Sequence, residues 1–144
     1  SDPRGTRRSE SFVAELARQG VTQVRRQRFE GLPTLAQGRA GLVALLDNAP
    51  RPLMVVCTSD TLAHGVLTEA AAQGIKVPEQ LAVMGFGDMN FAAHTFPALS
   101  TVKIDGKSMG TRAASLLLDR LAGRDTLDIH QDIGFTLIDR DSTR

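Results

Sequence analysis

The chain has 144 residues, 42% of them hydrophobic and 23% charged, with a net charge of +1 and a single cysteine. That length suits about one domain with a sound core. No apolar run approaches the ~20 residues a membrane-spanning helix needs, and one cysteine excludes a disulfide framework. With six Phe and no Tyr or Trp, aromatic platforms for single-stranded nucleic acid are excluded, and the near-neutral charge excludes a general nucleic-acid surface. The start, Ser1 to Arg8, has no apolar core of a signal peptide, so the expected location is the cytoplasm.

In chain order, Arg7–Gln19 carries Phe12, Val13, Leu16 and Ala17 at helical spacing, with Gly20 as a stop signal. Val21–Phe29 alternates β-branched with long polar residues and reads as a partly exposed strand, ended by Gly31-Leu-Pro33. A helix opening an alternating α/β chain suggests that a first strand precedes it. Gly38–Asn48 reads as a second helix with Leu42, Val43, Leu45 and Leu46 on one side, stopping before Pro50 and Pro52.

Leu53–Cys57 is a short, wholly apolar run of the kind found in strands buried between helices. Ser59 or Asp60 is placed to cap the next helix, which carries Leu62, Ala63, Val66, Leu67, Ala70 and Ala71 and closes at Gly74. A second buried strand, Leu81–Phe86, follows the loop Lys76–Gln80. The unit is strand–helix–strand, and in open parallel sheets ligands sit at the strands' carboxyl ends. Those ends are Thr58-Ser59-Asp60 and Gly87-Asp88. After the loop 87–97 come a short strand Ser100–Ile104, a Leu-rich helix opened by Asp105 or Ser108 and stopped at Gly123, and a final strand Asp132–Ile138.

The sequence holds no enzyme constellation. Cys57 lies in an apolar strand, where a small core residue is expected rather than a thiolate. His64, His94 and His130 stand singly, so no metal site is expected. Gly85-Phe-Gly87 lacks a third glycine, Asn90 standing in its place, and no phosphate-binding lysine loop exists; no cofactor is expected. Nine Arg stand against five acidic residues through Arg51, including Arg4, Arg7, Arg8, Arg25, Arg26 and Arg28, an excess read mainly as solvated faces.

Five segments in order resemble the effector-binding domain of the lactose/galactose-repressor (LacI/GalR) transcriptional regulators. They are Arg8-x-x-Ser11-Phe12 with Glu15-Leu16 and Gly20; Cys57-Thr-Ser-Asp60 with Ala63 and Gly65; Gly74-Ile-Lys-Val-Pro78 through Val83-Met-Gly85-Phe-Gly-Asp88; Pro97-Ala-Leu-Ser-Thr101-Val102 followed by Met109-Gly110, Ala113-Ala114 and Leu116-Leu117; and Asp139-Arg-Asp-Ser142-Thr143. The segment Gly85 to His94 is similar to the gluconate-repressor branch. The resemblance implies an α/β, type I periplasmic-binding-protein-like fold, a parallel sheet flanked by helices. Residues 1–144 would be the C-terminal part of the domain, with 101–124 returning to the N-terminal lobe. The helix-turn-helix head and most of the first lobe would lie outside the chain.

The same resemblance implies a non-enzyme: a homodimeric repressor whose small effector alters operator-DNA binding through that head, with no membrane partner. Its candidate ligand-binding residues are Arg8, Ser59, Asp60, Gly87 and Asp88, with Asp60 also the expected helix cap and Asp88 also a structural group. Dimer contacts are expected at Leu62, Val66 and Ala70 and at the Ala93–Phe96 loop. Gly87 stands where most sugar-binding members have an acid. A carboxylate suits a neutral polyol and repels an anion, whereas arginine grips a carboxylate through paired bonds. Keeping Arg8 without that acid fits a sugar acid such as gluconate. The alternative is a sugar-binding solute receptor of a transporter, which shares the fold.

Overall fold

The computed structural model describes residues 3–47, 53–124 and 130–144. Helix α1 spans Pro3–Arg18, α2 Leu35–Leu46, strand β1 Leu53–Val56, α3 Asp60–Ala72, β2 Leu81–Phe86, β3 Ser100–Lys103, α4 Gly106–Leu121 and β4 Thr136–Ile138, with a 3₁₀ turn at Ala92–His94. The sheet order is β1-β2-β3-β4. The first three strands run parallel, Leu53 opposite Leu81 and Gly85 opposite Thr101, and β4 runs antiparallel to β3. The sheet is therefore parallel from β1 through β3, as expected, and mixed at its last strand.

The core lies on one face of β1 and β2. Leu42, Val55, Ala63, Val66, Leu67, Ala70, Ile75, Leu81, Val83, Ala92 and Leu99 form one buried cluster beneath α2 and α3. Each fully buried Leu contributes on the order of 2 kcal/mol. Helices α2 and α3 approach unusually closely because Gly38 and Gly65 face each other. A Cβ on Gly38 would lie 2.2 Å from the Leu62 carbonyl oxygen, and one on Gly65 2.2 Å from that of Leu35. Two glycines at one crossing let backbone rest on backbone.

Several expected boundaries shift. The second helix starts three residues before Gly38, because Thr34 and Gln37 form a reciprocal capping box that satisfies free N–H groups. Its expected end at Asn48 lies outside the described residues. The final strand is confined to Thr136–Ile138 rather than running from Asp132. Val21–Phe29 is not a strand: it joins no ladder. The alternation is real, but a strand exists only where a neighbour accepts its hydrogen bonds. β1 is buried on one side only, since Met54 and Val56 are exposed while Val55 is buried.

Residues 139–143 close the other end of the sheet. Ser142 is fully enclosed; its Oγ donates to the Val83 carbonyl (2.6 Å) and accepts from the Ser100 N–H (2.9 Å). Its own backbone accepts from Val83 N–H and donates to the Ala98 carbonyl. The tail thus supplies β2 with a partner just before β3 begins. Helix α4 buries no residue, and Met109, Leu117, Leu118 and Leu121 stand exposed along it.

Candidate effector-binding cleft

The carboxyl ends of β1 and β2 open into a cleft of about 920 Å³. Its walls are the first turns of α1 (Arg4 to Ser9), the segment Gln27–Gly31, Thr58 and Ser59, Phe86, Ile104 and Met109, and Asp132–Phe135. Arg8 is set here by α1 and stacks on Phe86, its guanidinium carbon 4.0 Å from the ring centroid. Its Nε also donates to the Arg4 carbonyl at 3.2 Å. A guanidinium held flat on a ring is oriented before any ligand arrives, and its edge is suited to a planar anion. Arg4, Arg7 and Arg28 share the cleft, against the acids Glu30 and Asp132. The positive balance favours an anionic ligand.

Ser59 is the N-cap of α3, its Oγ accepting from the Leu62 N–H at 3.3 Å. A hydroxyl that accepts one bond keeps its proton for another partner, so Ser59 can serve both the helix and a ligand. The structure thus brings Arg8 and Ser59 together on one wall, with Phe86 between elements that are far apart in the chain.

The other three expected ligand residues do not line this cleft. Asp60 is 0% exposed, lying behind the strand ends. Its carboxylate accepts from the Met89 N–H (2.7 Å) and the Thr101 hydroxyl (2.6 Å), joining α3, β3 and the loop after β2. Gly85 is glycine because a Cβ there would sit 2.2 Å from Asp60 Oδ1. Asp60 is structural. Asp88 pairs with Arg140 (2.8 Å) and Lys103 (3.2 Å). The Arg140 hydrogen bond, aided by Lys103 and only partly opposed by desolvation, holds the Asp88 carboxyl below its ordinary range. Arg140 also donates to the Leu99 carbonyl, so this pair ties the tail to the strand-end loop. Gly87 is exposed at φ +129°, a backbone state L-residues rarely adopt. Absence of an acid at Gly87 thus coincides with a turn that glycine itself requires.

The expected dimer residues separate into two groups. Val66 and Ala70 are 3% and 0% exposed within the core, and Leu62 is half-buried beside the crossing of α2 and α3, so that side of α3 faces its own domain. Ala93 is exposed, and Phe96 is 97% exposed before the cis Phe96–Pro97 bond. Sequence reasoning missed Phe86 as the platform beneath Arg8, and took Arg4, Arg7 and Arg28 mainly as solvated. The only available signal was that Phe86 ends a buried strand next to a glycine.

Among the described residues no catalytic set assembles at the cleft. Burial, aided by the charge of Asp60, pushes the Cys57 thiol up to about 12, the opposite of an activated nucleophile. Among the described residues no group of three His, Cys, Asp or Glu could hold a metal ion, and no helix is long and apolar enough to cross a membrane. His64 packs against Phe91, ring centroids 5.3 Å apart.

A sheet whose first three strands run parallel, with a cleft at their carboxyl ends, has the architecture of a lobe of the periplasmic-binding-protein type. Residues 1–143 match the model of the periplasmic binding protein-like domain, and the chain belongs to that family. It is 37% identical over 143 residues to the transcriptional regulator GntR of Pseudomonas aeruginosa, covering 99% of this chain and 42% of that protein. It is 33% identical to the repressor CytR of Escherichia coli over 95% of this chain and 40% of that protein. Among solved structures it resembles the regulator GntR of Chromobacterium violaceum, with TM-score 0.85 and 32% identity over 99% of this chain and 53% of that one. A LacI-family sugar-binding regulator of Escherichia coli, complexed with phosphate, matches at TM-score 0.86 and 31% identity over 99% of this chain and 51% of that one. The chain spans about four-tenths of the length of these curated relatives.

Proposed function

We propose that this chain is part of the effector-sensing domain of a cytoplasmic, non-enzymatic LacI-type transcription regulator. Its cleft takes a small sugar acid of the gluconate class, and the ligand alters DNA binding by a helix-turn-helix head elsewhere in a longer protein. The observation that carries this reading is Arg8 stacked on Phe86 beside Ser59, at the mouth of a cleft with three further arginines. The relatives named above support the regulatory half, since GntR and CytR are transcription regulators rather than transport receptors. The physical mechanism is a population shift, in which ligand favours one of two conformations by binding it more tightly. Segment 101–124 packs against a second lobe in this reading, which accounts for the exposed leucines of α4. The protein acts as a homodimer through the Ala93–Phe96 loop, with Phe96 as the knob between copies.

The test is calorimetric titration of the longer regulator with gluconate, glucose and ribose. Gluconate binds, and Arg8→Ala weakens it by about 1.5–3 kcal/mol, the range for a hydrogen bond to a charged group. Binding of a neutral hexose with no response to gluconate refutes the ligand class.

A further inference from the structure

Arginine is a costly residue to aim at a ligand. Its long side chain has many rotamers, and fixing one of them at the moment of binding subtracts from affinity. Arg4, Arg7, Arg8 and Arg28 all line the cleft, and Arg8 lies over an aromatic ring, its guanidinium carbon 4.0 Å from the centroid of Phe86.

The ring and the cation come from different parts of the fold. Along β2 burial alternates, with Leu81, Val83 and Gly85 buried and Ala82, Met84 and Phe86 half-buried on the other face. Phe86 is the last residue of that strand and stands opposite Val102 of β3. The next N–H, of Gly87, donates to the Val102 carbonyl at 2.8 Å. The sheet's own ladder therefore fixes where the ring begins. Arg8 comes from α1, and its Nε donates to the Arg4 carbonyl one turn earlier at 3.2 Å. A ring face below restrains the tilt of the guanidinium, and a bond at Nε restrains its rotation within its own plane. Packing alone does not ask for an aromatic residue here. A leucine would also cover a half-buried face, whereas only a ring face attracts a cation laid over it.

We propose that Phe86 is a positioning residue for an anionic ligand: it holds the Arg8 guanidinium in its working orientation in advance, so that binding need not fix it. The proposal rests on the reading of the cleft as an anion site. Phe86 acts through Arg8 rather than by touching the ligand. A carboxylate meets a guanidinium in its plane through two parallel bonds, so it draws most of the benefit. A neutral polyol, bonding one hydroxyl at a time, draws little.

The test titrates the longer regulator with gluconate by calorimetry, comparing the parent with Phe86→Leu, Phe86→Tyr, Arg8→Ala and the Phe86→Leu/Arg8→Ala double variant. Immobilising one long side chain changes affinity by about three- to tenfold, and Phe86→Leu is expected to weaken gluconate by that factor. Phe86→Tyr keeps the ring face and binds as the parent does. Once Arg8 is alanine, Phe86→Leu makes no further difference. A second readout needs no ligand. The Arg8 Nε–H signal, identified by its loss in Arg8→Ala, is shifted upfield by the ring in the parent and returns to the ordinary arginine position in Phe86→Leu. Parent-like gluconate affinity in Phe86→Leu overturns the proposal. Equal weakening with and without Arg8 also overturns it, since the ring then only packs. An Arg8 signal indifferent to Phe86→Leu overturns it whatever gluconate does. If the parent does not bind gluconate, the ligand class stated above fails, and the Arg8 signal alone decides whether Phe86 orients it.

Discussion

Replacing Gly65 with alanine tests whether the crossing of α2 and α3 is set by contact between backbones. The added Cβ would lie 2.2 Å from the Leu35 carbonyl oxygen and 2.9 Å from Gly38 Cα. Ordinary contact begins at 3.4 Å, so the helices must part by 3.4 − 2.2 = 1.2 Å along that line. No rotamer relieves the clash, because both colliding groups are backbone. A gap of that size forfeits roughly half of the dispersion energy along the interface that holds Leu42, Ala63 and Val66. Overpacking of this kind costs about 3 kcal/mol, and alanine's helix propensity returns about 1, leaving a net loss of about 2 kcal/mol. Urea unfolding monitored by circular dichroism reads this as a midpoint lowered by about 1 M at unchanged slope. Gly110→Ala in α4 is the matched control, since a Cβ there meets nothing within 4 Å. It should gain helix stability instead. If Gly65→Ala leaves the midpoint where it was, or moves it as Gly110→Ala does, the backbone-contact argument fails.

Other perturbations address the groups around the strand ends. Asp60→Asn keeps the shape but leaves one of two donors, Met89 N–H or Thr101 O–H, facing an amide nitrogen; a loss of about 1–3 kcal/mol in chemical unfolding is expected. Because its folded carboxyl titrates below the unfolded one, Asp88 contributes stability above the ordinary carboxylate range, and that contribution fades as pH falls through the folded value. Asp88→Asn therefore lowers the melting temperature at pH 7, and the difference from the parent narrows toward pH 3 and below. A difference independent of pH would contradict the ion pair. Val66→Glu places a carboxylate in the core and abolishes cooperative unfolding of this chain, rather than only loosening a contact between copies. Phe96→Ser leaves the unfolding free energy within about 0.5 kcal/mol of the parent and, in the longer polypeptide, is expected to shift sedimentation toward monomer.

What the sequence disclosed was local. The runs Leu53–Cys57 and Leu81–Phe86 have a single reasonable reading, and Ser59 sits where a helix needs an oxygen acceptor. Apart from the helix start set by Thr34 and Gln37, the misreadings concern partners distant in the chain. Val21–Phe29 has a strand's pattern, but nothing in its own residues tells whether a neighbour is present. The helix at Asp60–Ala72 is apolar nearly all round, so its residues do not reveal which side faces the sheet. A dimer contact at Leu62, Val66 and Ala70 is therefore a natural expectation, but the fold turns Val66 and Ala70 in and leaves Leu62 half-buried. Asp60 looked like a cap or a ligand group; its bonds to Met89 and Thr101 span 29 and 41 residues. The pairing of Arg8 with Phe86 spans still more. Only the resemblance to LacI-type regulators, read from motif order, singled out Arg8 among the arginines.

The buried serine near the end of the chain has a consequence in time. Synthesis delivers residues in order, and Val83, Ala98 and Ser100 emerge well before Ser142 does. Until it arrives, the Val83 N–H and C=O, the Ala98 carbonyl and the Ser100 N–H lack their folded partners. The central strand β2 can pair with β1 and start β3, yet it stays open at the point where the tail belongs. The sheet at the cleft is thus completed only once residues 139–143 have emerged. A ribosome that stalls after Ile138 leaves a lobe whose Asp88 also lacks Arg140, so the unfinished chain has a loosened loop after β2.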